Sequence, residues 1–302
     1  MRYRIRHRTI YDYAEPVTVS HHAARVEPLG SASQEIEAFD LRIQPEPALR
    51  KVRTDYFGNR VCFFSIQEIH QRLEITAESV VSAAKVSRPE PSQSPSWEKV
   101  AALFRDPVSP EMVGPYQFCF DSPLVAGSPE LAGYTRESFR AGMPLLDAVM
   151  ELNGRIYQDF KYDPVATTVL TPLEEVFKTR RGVCQDFAHV AIACLRSLGL
   201  PARYVSGYLR TRPPEGQERL VGADASHAWF AVYCGDLGWV GFDPTNNLIP
   251  AGEHITVACG RDYSDVSPLS GIITGGGKHE VQVAVNVAEA PREKPNVGPA
   301  VV

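Results

Sequence analysis

Long hydrophobic runs, paired cysteines and an excess of basic residues are all absent from this chain of 302 residues. A membrane-spanning helix needs about 18 or more consecutive apolar residues, and the sequence contains no such run, so we predict no membrane segment. The first residues also lack the apolar core of a signal peptide. The six cysteines include no C-x-x-C pair and match neither a zinc ribbon nor a disulfide scaffold. We therefore expect a cytoplasmic protein.

The charge balance argues against nucleic acid as a partner. The net charge is -5 at pH 7, whereas phosphate binding needs clustered Lys and Arg. The basic start, MRYRIRHR, alternates in the manner of a strand with one charged and solvated face. Hydrophobic residues at 44% and charged residues at 22% are typical of a globular protein, long enough here for one large domain or two. Composition and charge do not indicate an oligomeric state.

The chain divides into a β-rich part, a mixed α+β part and a tail. Up to about residue 90, short alternating segments and turn residues predict an antiparallel sandwich or partial barrel. A Pro- and Ser-rich stretch at 86–96 is typical of a linker. We place a second, α+β domain at 97–285, in which HEVQVAVNV is a candidate late strand. We expect the tail at 286–302 to be disordered.

A cysteine at the start of a helix is the most informative feature. In TRRGVCQDFAHVAIACLRSLGLPARYVSGYL, residues 179–209, the apolar residues after Cys184 recur at intervals of three, four and seven, which predicts one buried helical face. Gly199 and Pro201 end that helix. Cys184 therefore lies in the first turn, where free N–H groups and the helix dipole stabilise a thiolate. Cys194 falls on the apolar stripe and is predicted to lie in the core.

The helix dipole is too weak to activate this thiol unaided. It contributes about 0.3–1 kcal/mol, less than one pKa unit at roughly 1.4 kcal/mol per unit. A histidine therefore has to complete the activation of Cys184. Gly182 is expected to let the chain approach closely with unusual dihedral angles. Without a histidine, a small buried residue would be an equally good interpretation of Cys184.

Only two of the eight histidines are candidates for the base. Four lie in the β-rich part, and His254 and His279 lie in a weakly patterned C-terminal segment. His189 is five residues after Cys184, about 140° around the helix, so we predict a packing or supporting role for it. His227 remains.

His227 and Asp243 are predicted to meet at the open end of a hairpin. His227 precedes the strand-like AWFAVY, CGDLG forms the turn, and the return strand of GWVGFDPTNN ends at Asp243. Antiparallel strands joined by a tight turn bring their open ends together, and counting outward puts His227 opposite about residue 246. A carboxylate nearby would fix the imidazole tautomer and favour the imidazolium.

Around these three positions the sequence resembles the bacterial members of the transglutaminase-like superfamily of papain-like cysteine enzymes. The resemblance is carried by RGVCQDFAHV with LRSLGLPARYVSGY, by SHAWFAVY and by GWVGFDPTNN. It is strong over about 145–247 and weaker over the N-terminal β domain. It implies Cys184 as nucleophile, His227 as general base and acid, and Asp243 as orienting residue. It also implies an α+β, papain-like core in which the cysteine helix packs on an antiparallel sheet, preceded by a sandwich-like β domain.

The surroundings of the thiol give weaker predictions. The backbone N–H of Cys184 is a natural oxyanion donor. Aromatic side chains of the strands could wall a substrate cleft or fill the core. The candidates for oxyanion stabilisation or support are Tyr162, Gln185 and His189, and the candidates for the cleft are Trp229 and Tyr208, with Trp239 and Tyr204.

These residues together suggest ping-pong acyl transfer on a peptide, a protein or another amide, with hydrolysis favoured over transamidation. Animal transglutaminases need calcium, but this sequence has no acidic loop with ligand spacing, so we predict no metal and no cofactor. One alternative is a non-catalytic interaction module on the same scaffold. Another is a zinc site of Cys184, His189 and His227, whose spacing matches no familiar metal pattern.

Overall fold

The computed structural model describes residues 1–84, 89–105, 110–210 and 226–291, without the side chains of residues 91 and 111. Two antiparallel sheets, a short parallel pair formed by 161–162 and 181–182, and a set of helices make up this part. The helices are α1 (Trp97–Leu103), α2 (Pro110–Tyr116), α3 (Pro129–Arg136), α4 (Leu145–Asp159), α5 (Leu173–Thr179), α6 (Cys184–Ser197) and α7 (Tyr263–Val266). The strands are β1 (Arg2–Ala24), β2 (Gln34–Gln44), β3 (Leu49–Thr54), β4 (Arg60–Ile66), β5 (His70–Ala83), β6 (Lys161–Tyr162), β7 (Arg181–Gly182), β8 (Ala202–Leu209), β9 (Ser226–Tyr233), β10 (Trp239–Phe242), β11 (His254–Gly260), β12 (Leu269–Gly275) and β13 (His279–Glu289).

The first sheet has the order β2-β5-β1-β4-β3, and β12 and β13 also pair with β1. Side chains of β1 alternate between buried and solvated positions, as the basic N-terminal pattern predicts. The long β1 can serve several partners because β13 and β5 lie on its two edges over the same residues. The α+β class with a β-rich N-terminal domain is confirmed.

The predicted domain limits need correction at the C-terminal end. Strands β12 and β13 lie within or just beyond the segment 97–285, yet both hydrogen-bond to β1 in the first sheet. Part of the predicted disordered tail is also ordered, because β13 continues to Glu289 and buries Val287. The rest of that tail, 292–302, lies outside the described residues, as does 86–88 of the predicted linker.

The second sheet has the order β10-β9-β8-β11 and carries α6 on one face. Helix α4 buries the apolar stripe that its sequence predicts: Leu145, Val149, Leu152 and Ile156 are fully buried. These residues share one core with α6 and with Phe230 of β9. This core holds the start of α6 against the strands, which is what the position of a reactive side chain at residue 184 requires.

The opposite face of the second sheet packs on the first sheet. Two buried side-chain amides of the N-terminal domain bond to the backbone of β11 as a neighbouring strand would. Gln34 accepts from the N–H of Thr256 at 2.9 Å and donates to its carbonyl at 2.7 Å. Asn59 does the same with Cys259, at 2.8 Å in each direction. The edge strand is thereby covered rather than left open. No helix among the described residues has both the length and the apolar character needed to cross a membrane.

Candidate active site

Cys184 is the first residue of α6, and a buried carboxylate organises that helix start. Oδ2 of Asp186 accepts a hydrogen bond from the N–H of Val183 at 2.8 Å and another from the hydroxyl of Thr167 at 2.7 Å. A Cβ at position 182 would lie 2.4 Å from the same oxygen, so Gly182 is required for close approach. Its backbone is not in the left-handed region, and the predicted unusual dihedral angles were wrong.

The two cysteines of α6 have different surroundings. Cys184 is half-buried at the N-terminus of the helix, where the first N–H groups have no partner within the helix. Cys194 is fully buried in the core, and burial raises the pKa of its thiol to about 12. The prediction that Cys194 belongs to the core is confirmed. Of these two thiols, only that of Cys184 is accessible at the helix start.

The hairpin places His227 next to Asp243. Phe242 pairs with Phe230, and continuing that register by three residues puts His227 opposite Thr245, one residue from the predicted position. Nε2 of His227 lies 2.8 Å from Oδ2 of Asp243. The two side chains meet because the tight turn at 235–238 sets the stagger of the strands.

The other side of the imidazole faces the thiol. Cys184 lies near the imidazole, since it is among the groups that raise the pKa of His227. Nδ1 is the ring nitrogen left to face the thiol, because Nε2 is bound to Asp243. Burial is the largest influence on the pKa of His227 and lowers it. The hydrogen bond to Asp243, the neighbouring Cys184 and the negative charges of both groups outweigh burial and raise the pKa to about 9. His227 is therefore an imidazolium at neutral pH.

Asp243 is completely buried and accepts five hydrogen bonds. Oδ1 accepts from the backbone N–H groups of Thr245 at 2.9 Å and Asn246 at 3.1 Å. Oδ2 accepts from His227 at 2.8 Å, from the Asn246 amide at 2.7 Å and from His254 at 3.0 Å. Burial alone would raise the pKa of Asp243, but these donors hold it well below its ordinary value. The carboxylate stays ionised inside the protein because its lone pairs are occupied.

His254 is a member of the site that sequence reasoning missed. It is the first residue of β11, and only 5% of its side chain is exposed. Strands β9 and β11 both run antiparallel to β8, so both begin at the same end of the sheet. His254 is the first residue of β11, and His227 is the second residue of β9. A histidine before the alternating ITVACG was the available signal. β11 pairs with β8, which is distant in the sequence, and the residue pattern within β11 does not predict that pairing.

The three residues predicted to support the oxyanion or the thiol, Tyr162, Gln185 and His189, lie in different surroundings. Tyr162 lies on β6 beside Gly182 and is 54% exposed. Burial, followed by the negative charge of Cys184, raises the pKa of its hydroxyl. Gln185 directs its amide to the carbonyl of Val169 at 3.4 Å. Of Tyr162 and Gln185, Tyr162 is therefore the residue whose pKa is influenced by Cys184.

His189 has the packing role predicted for it. The side chain is buried, and burial lowers the pKa of the imidazole to about 4. Nε2 accepts the N–H of Tyr263 at 3.2 Å, and the ring packs against Tyr204. Because the neutral imidazole of His189 is bound to Tyr263 at the start of α7, it supports α7 rather than the thiol.

The aromatic walls predicted for the cleft lie elsewhere. Tyr208 is buried between the sheets, where its hydroxyl lies 2.8 Å from Nδ1 of His7, so its assignment to the cleft was wrong. Trp229 lies on the face of β9 opposite α6, because side chains alternate along a strand. Its ring packs at 6.1 Å from His227 and at 5.2 Å from His254, nearly perpendicular to the latter. Trp229 therefore covers the two imidazoles from behind.

One group of metal-ligand type occurs among the described residues, namely His227, Asp243 and His254, whose ligand atoms lie within 4.8 Å of one another. Cys184, His189 and His227, the alternative zinc site, do not form a group of this kind among the described residues. Hydrogen bonds from both imidazoles to Oδ2 account for the observed arrangement without an ion. The absence of a metal requirement stays a prediction.

Comparison with known proteins matches both parts of the chain to family models. Residues 3–82 match the bacterial transglutaminase-like N-terminal region, and residues 133–244 match the transglutaminase-like superfamily. An uncharacterised protein of Mycobacterium tuberculosis is 40% identical over 303 residues, which cover 95% of this chain and 92% of that protein. A protein-glutamine gamma-glutamyltransferase of Pseudomonas aeruginosa is 32% identical over 127 residues, 38% of this chain and 19% of that enzyme.

A solved structure shares the fold over almost the whole length. It is that of a protein from Cytophaga hutchinsonii described as a "putative cysteine protease", with a TM-score of 0.73 and 23% sequence identity. The match covers 95% of this chain and 90% of that one. At this identity the likeness concerns the fold alone. It includes the N-terminal β domain as well as the second sheet with its helices.

Proposed function

The chain belongs to the transglutaminase-like superfamily, and from this premise we propose that it is a cysteine-dependent enzyme that transfers the acyl group of an amide. Cys184 is the nucleophile, His227 the acid and base, and Asp243 the residue that orients His227. One observation carries the proposal: His227 is hydrogen-bonded to a buried, ionised carboxylate and lies near Cys184, which also raises the pKa of the imidazole.

The proton transfers follow from the charge of His227. Its pKa of about 9 supplies an imidazolium beside the sulfur, and a thiolate is the reactive form of cysteine. The sulfur attacks the amide carbonyl carbon, the C–N bond breaks, and the imidazolium gives its proton to the departing amine. A thioester and a neutral His227 result. His227 then takes a proton from water, the hydroxide attacks the thioester, and the acid leaves as the thiolate re-forms.

The oxyanion is stabilised by groups at the start of α6. The N–H of Cys184 is one of the donors that the helix leaves without an internal partner. The hydroxyl of Tyr162 is the second donor in this proposal, because the pairing of β6 with β7 places Tyr162 beside Gly182, two residues before Cys184. Donors of this kind each lower the barrier by about 2.7–4 kcal/mol in enzymes where one has been removed.

Hydrolysis is the favoured outcome because water has access to the site. Cys184 and His227 are half-buried, and Tyr162 beside them is 54% exposed. Trp229 and Tyr208, the candidate walls of the cleft, lie on the other face of the sheet or between the sheets. Transamidation is the second candidate, and the Pseudomonas aeruginosa glutamyltransferase supports it.

The reaction is tested with a library of glutamine-containing peptides, with and without a primary amine, after dialysis against a chelator. We expect ammonia release and conversion of glutamine to glutamate, with the rate independent of the amine. Incorporation of the amine into the peptide would instead favour transamidation. Activity that is lost on dialysis and restored by zinc would support a metal site. If neither ammonia release nor peptide cleavage is observed, the interaction module becomes the better explanation.

His254 is a positioning residue in this proposal, because it contacts Asp243 and not the thiol. We expect His254→Phe to lower kcat about tenfold with KM nearly unchanged, since a hydrogen bond to a charged group contributes about 1.5–3 kcal/mol. Steady-state kinetics of the variant measure both constants. His254→Gln, whose amide can donate to the carboxylate, should recover part of kcat.

The matched control for this variant is His189→Phe, which removes another buried histidine of the same domain. It should lower the melting temperature while leaving kcat unchanged, because His189 bonds to Tyr263 and not to the site. Equal losses of kcat in both histidine variants would indicate a general loss of stability and would rule out a positioning role for His254.

A further inference from the structure

A pocket of about 960 Å³ lies between the first sheet and the face of the second sheet opposite α6. Leu29 and Phe57 of the N-terminal domain line one side, and Trp229 and Trp239 line the other. Its described walls include neither Cys184 nor His227, so it is separate from the thiol side of the site. The volume lies near the upper end of the range of about 300–1,000 Å³ for sites that bind small organic molecules.

An arginine in the pocket wall lacks the partner that its charge requires. The guanidinium of Arg203 lies 4.4 Å from the ring centroid of Trp239. It forms no hydrogen bond or ion pair with the described residues, and its Nε is buried without an acceptor. By contrast, Arg196, which is also on the second domain, donates to three backbone carbonyls and a serine hydroxyl. A guanidinium without an acceptor at a pocket wall is expected to bind an anion.

Further polar groups of the same wall are also unused. The indole N–H groups of Trp229 and Trp239 have no acceptor among the described residues, and Nδ1 of His254 is buried without a partner. Buried polar groups in folded proteins are normally hydrogen-bonded. Two buried nitrogens beside this pocket, Nε of Arg203 and Nδ1 of His254, therefore lack partners that a bound molecule would supply.

Little negative charge opposes an anion in this pocket. Glu90 is the one carboxylate among its described lining residues, and it is exposed to solvent. The amide of Gln34, which also lines the pocket, is fully used in its bonds to β11 and to the carbonyl of Leu29. The rest of the wall is mostly apolar or aromatic, with Val205, Ala231 and Ile249 between the rings.

From these contacts we infer that the pocket binds an organic anion, a carboxylate or sulfonate carried on a flat apolar body. Arg203 and the indole N–H groups hold the anionic group, and the rings of Trp229 and Trp239 cover the body. His254 contacts the pocket on one side and Asp243 on the other, so an occupant lies directly behind the proposed catalytic residues. Binding itself does not depend on the proposed function.

Two fluorescent probes that differ in charge test the inference on the full-length protein. Anilinonaphthalene sulfonate carries the anion, and its uncharged parent phenylnaphthylamine has the same rings without it. We expect the sulfonate to bind saturably at one site. Arg203→Gln should weaken its binding about 10- to 100-fold, the effect of losing a charge-assisted hydrogen bond. Binding of the uncharged probe should change less than threefold, and Arg203→Lys should keep most of the affinity for the sulfonate.

Arg53→Gln is the matched control, because Arg53 is exposed on β3 and does not line the pocket. It should leave both probes unaffected. Sulfonate binding that is the same in Arg203→Gln and in the wild type would overturn the inference, and so would an equal loss of both probes. If Arg203→Gln does not fold, a crystal structure of the wild-type protein with the sulfonate decides the matter. The probe must then lie between Arg203 and Trp229, and a position elsewhere refutes the proposal.

Discussion

Replacing Cys184 by alanine is expected to lower kcat for amide substrates by about 10⁴- to 10⁶-fold, the range seen when the nucleophile of a triad enzyme is removed. The reason is that neither other member of the triad can replace the nucleophile: His227 carries a proton at neutral pH and Asp243 is buried with its lone pairs occupied. The assay is ammonia or amine release from the best peptide of the library. A thiol-specific reagent should label the wild type once at Cys184 and leave the variant unlabelled at that position.

Cys194→Ala is the matched control on the same helix. Cys194 is fully buried in the core and makes no contact with His227. Its replacement removes one buried sulfur and should cost about 1 kcal/mol of unfolding free energy while leaving kcat unchanged below the melting temperature. A Cys184→Ala variant that keeps more than about one percent of wild-type activity would contradict the assignment of the nucleophile.

Asp243→Asn is the second substitution with a large expected effect. We expect kcat to fall by about 10³- to 10⁴-fold, as for an orienting carboxylate in a triad. An asparagine oxygen is neutral, and it cannot hold the three donors that now converge on Oδ2. Without the negative charge, less remains to oppose the effect of burial on His227, and the pKa of the imidazole falls from about 9. The alkaline limb of the activity profile should therefore move from about pH 9 towards neutral pH.

The stability of the same variant should depend on pH in a defined window. The pKa of Asp243 is lowered in the folded protein, so its contribution is present above about pH 4 and is lost as pH falls. The pKa of His227 is raised, so its contribution is complete below pH 6.5 and is lost as pH rises through about 9. Urea unfolding should show the largest difference between wild type and Asp243→Asn near pH 6, and a smaller one at pH 10. A difference that is constant across this range would mean that the pair is not ionic.

Local sequence patterns predicted the parts of the site that are formed by neighbouring residues. The period of apolar residues after Cys184 predicts α6, and Cys184 is indeed its first residue. The turn between the two strands predicts the proximity of His227 and Asp243 to within one residue. Both predictions succeed because helices and hairpins are determined by contacts over a few residues.

The errors and omissions share a different physical origin. Strands β12 and β13 join β1 across more than 240 residues of sequence, and the predicted domain limit at 285 missed this pairing. His254 reaches Asp243 because β11 pairs with β8, a contact with no sign in its own segment. The face on which Trp229 lies depends on the register of β9 in the sheet, and a strand buried on both faces carries no polar alternation to report it.

The amino-acid sequence by itself determined a thiol at a helix start, an imidazole and a carboxylate at the ends of one hairpin, and an α+β fold with a β-rich N-terminal domain. The tertiary structure alone decided that a second imidazole holds the carboxylate, that the aromatic residues lie behind the site, and that a pocket with unused donors separates the two sheets. These features arise where distant strands pack together. Such packing depends on long-range register and shape, and neither leaves a periodic signal in the chain.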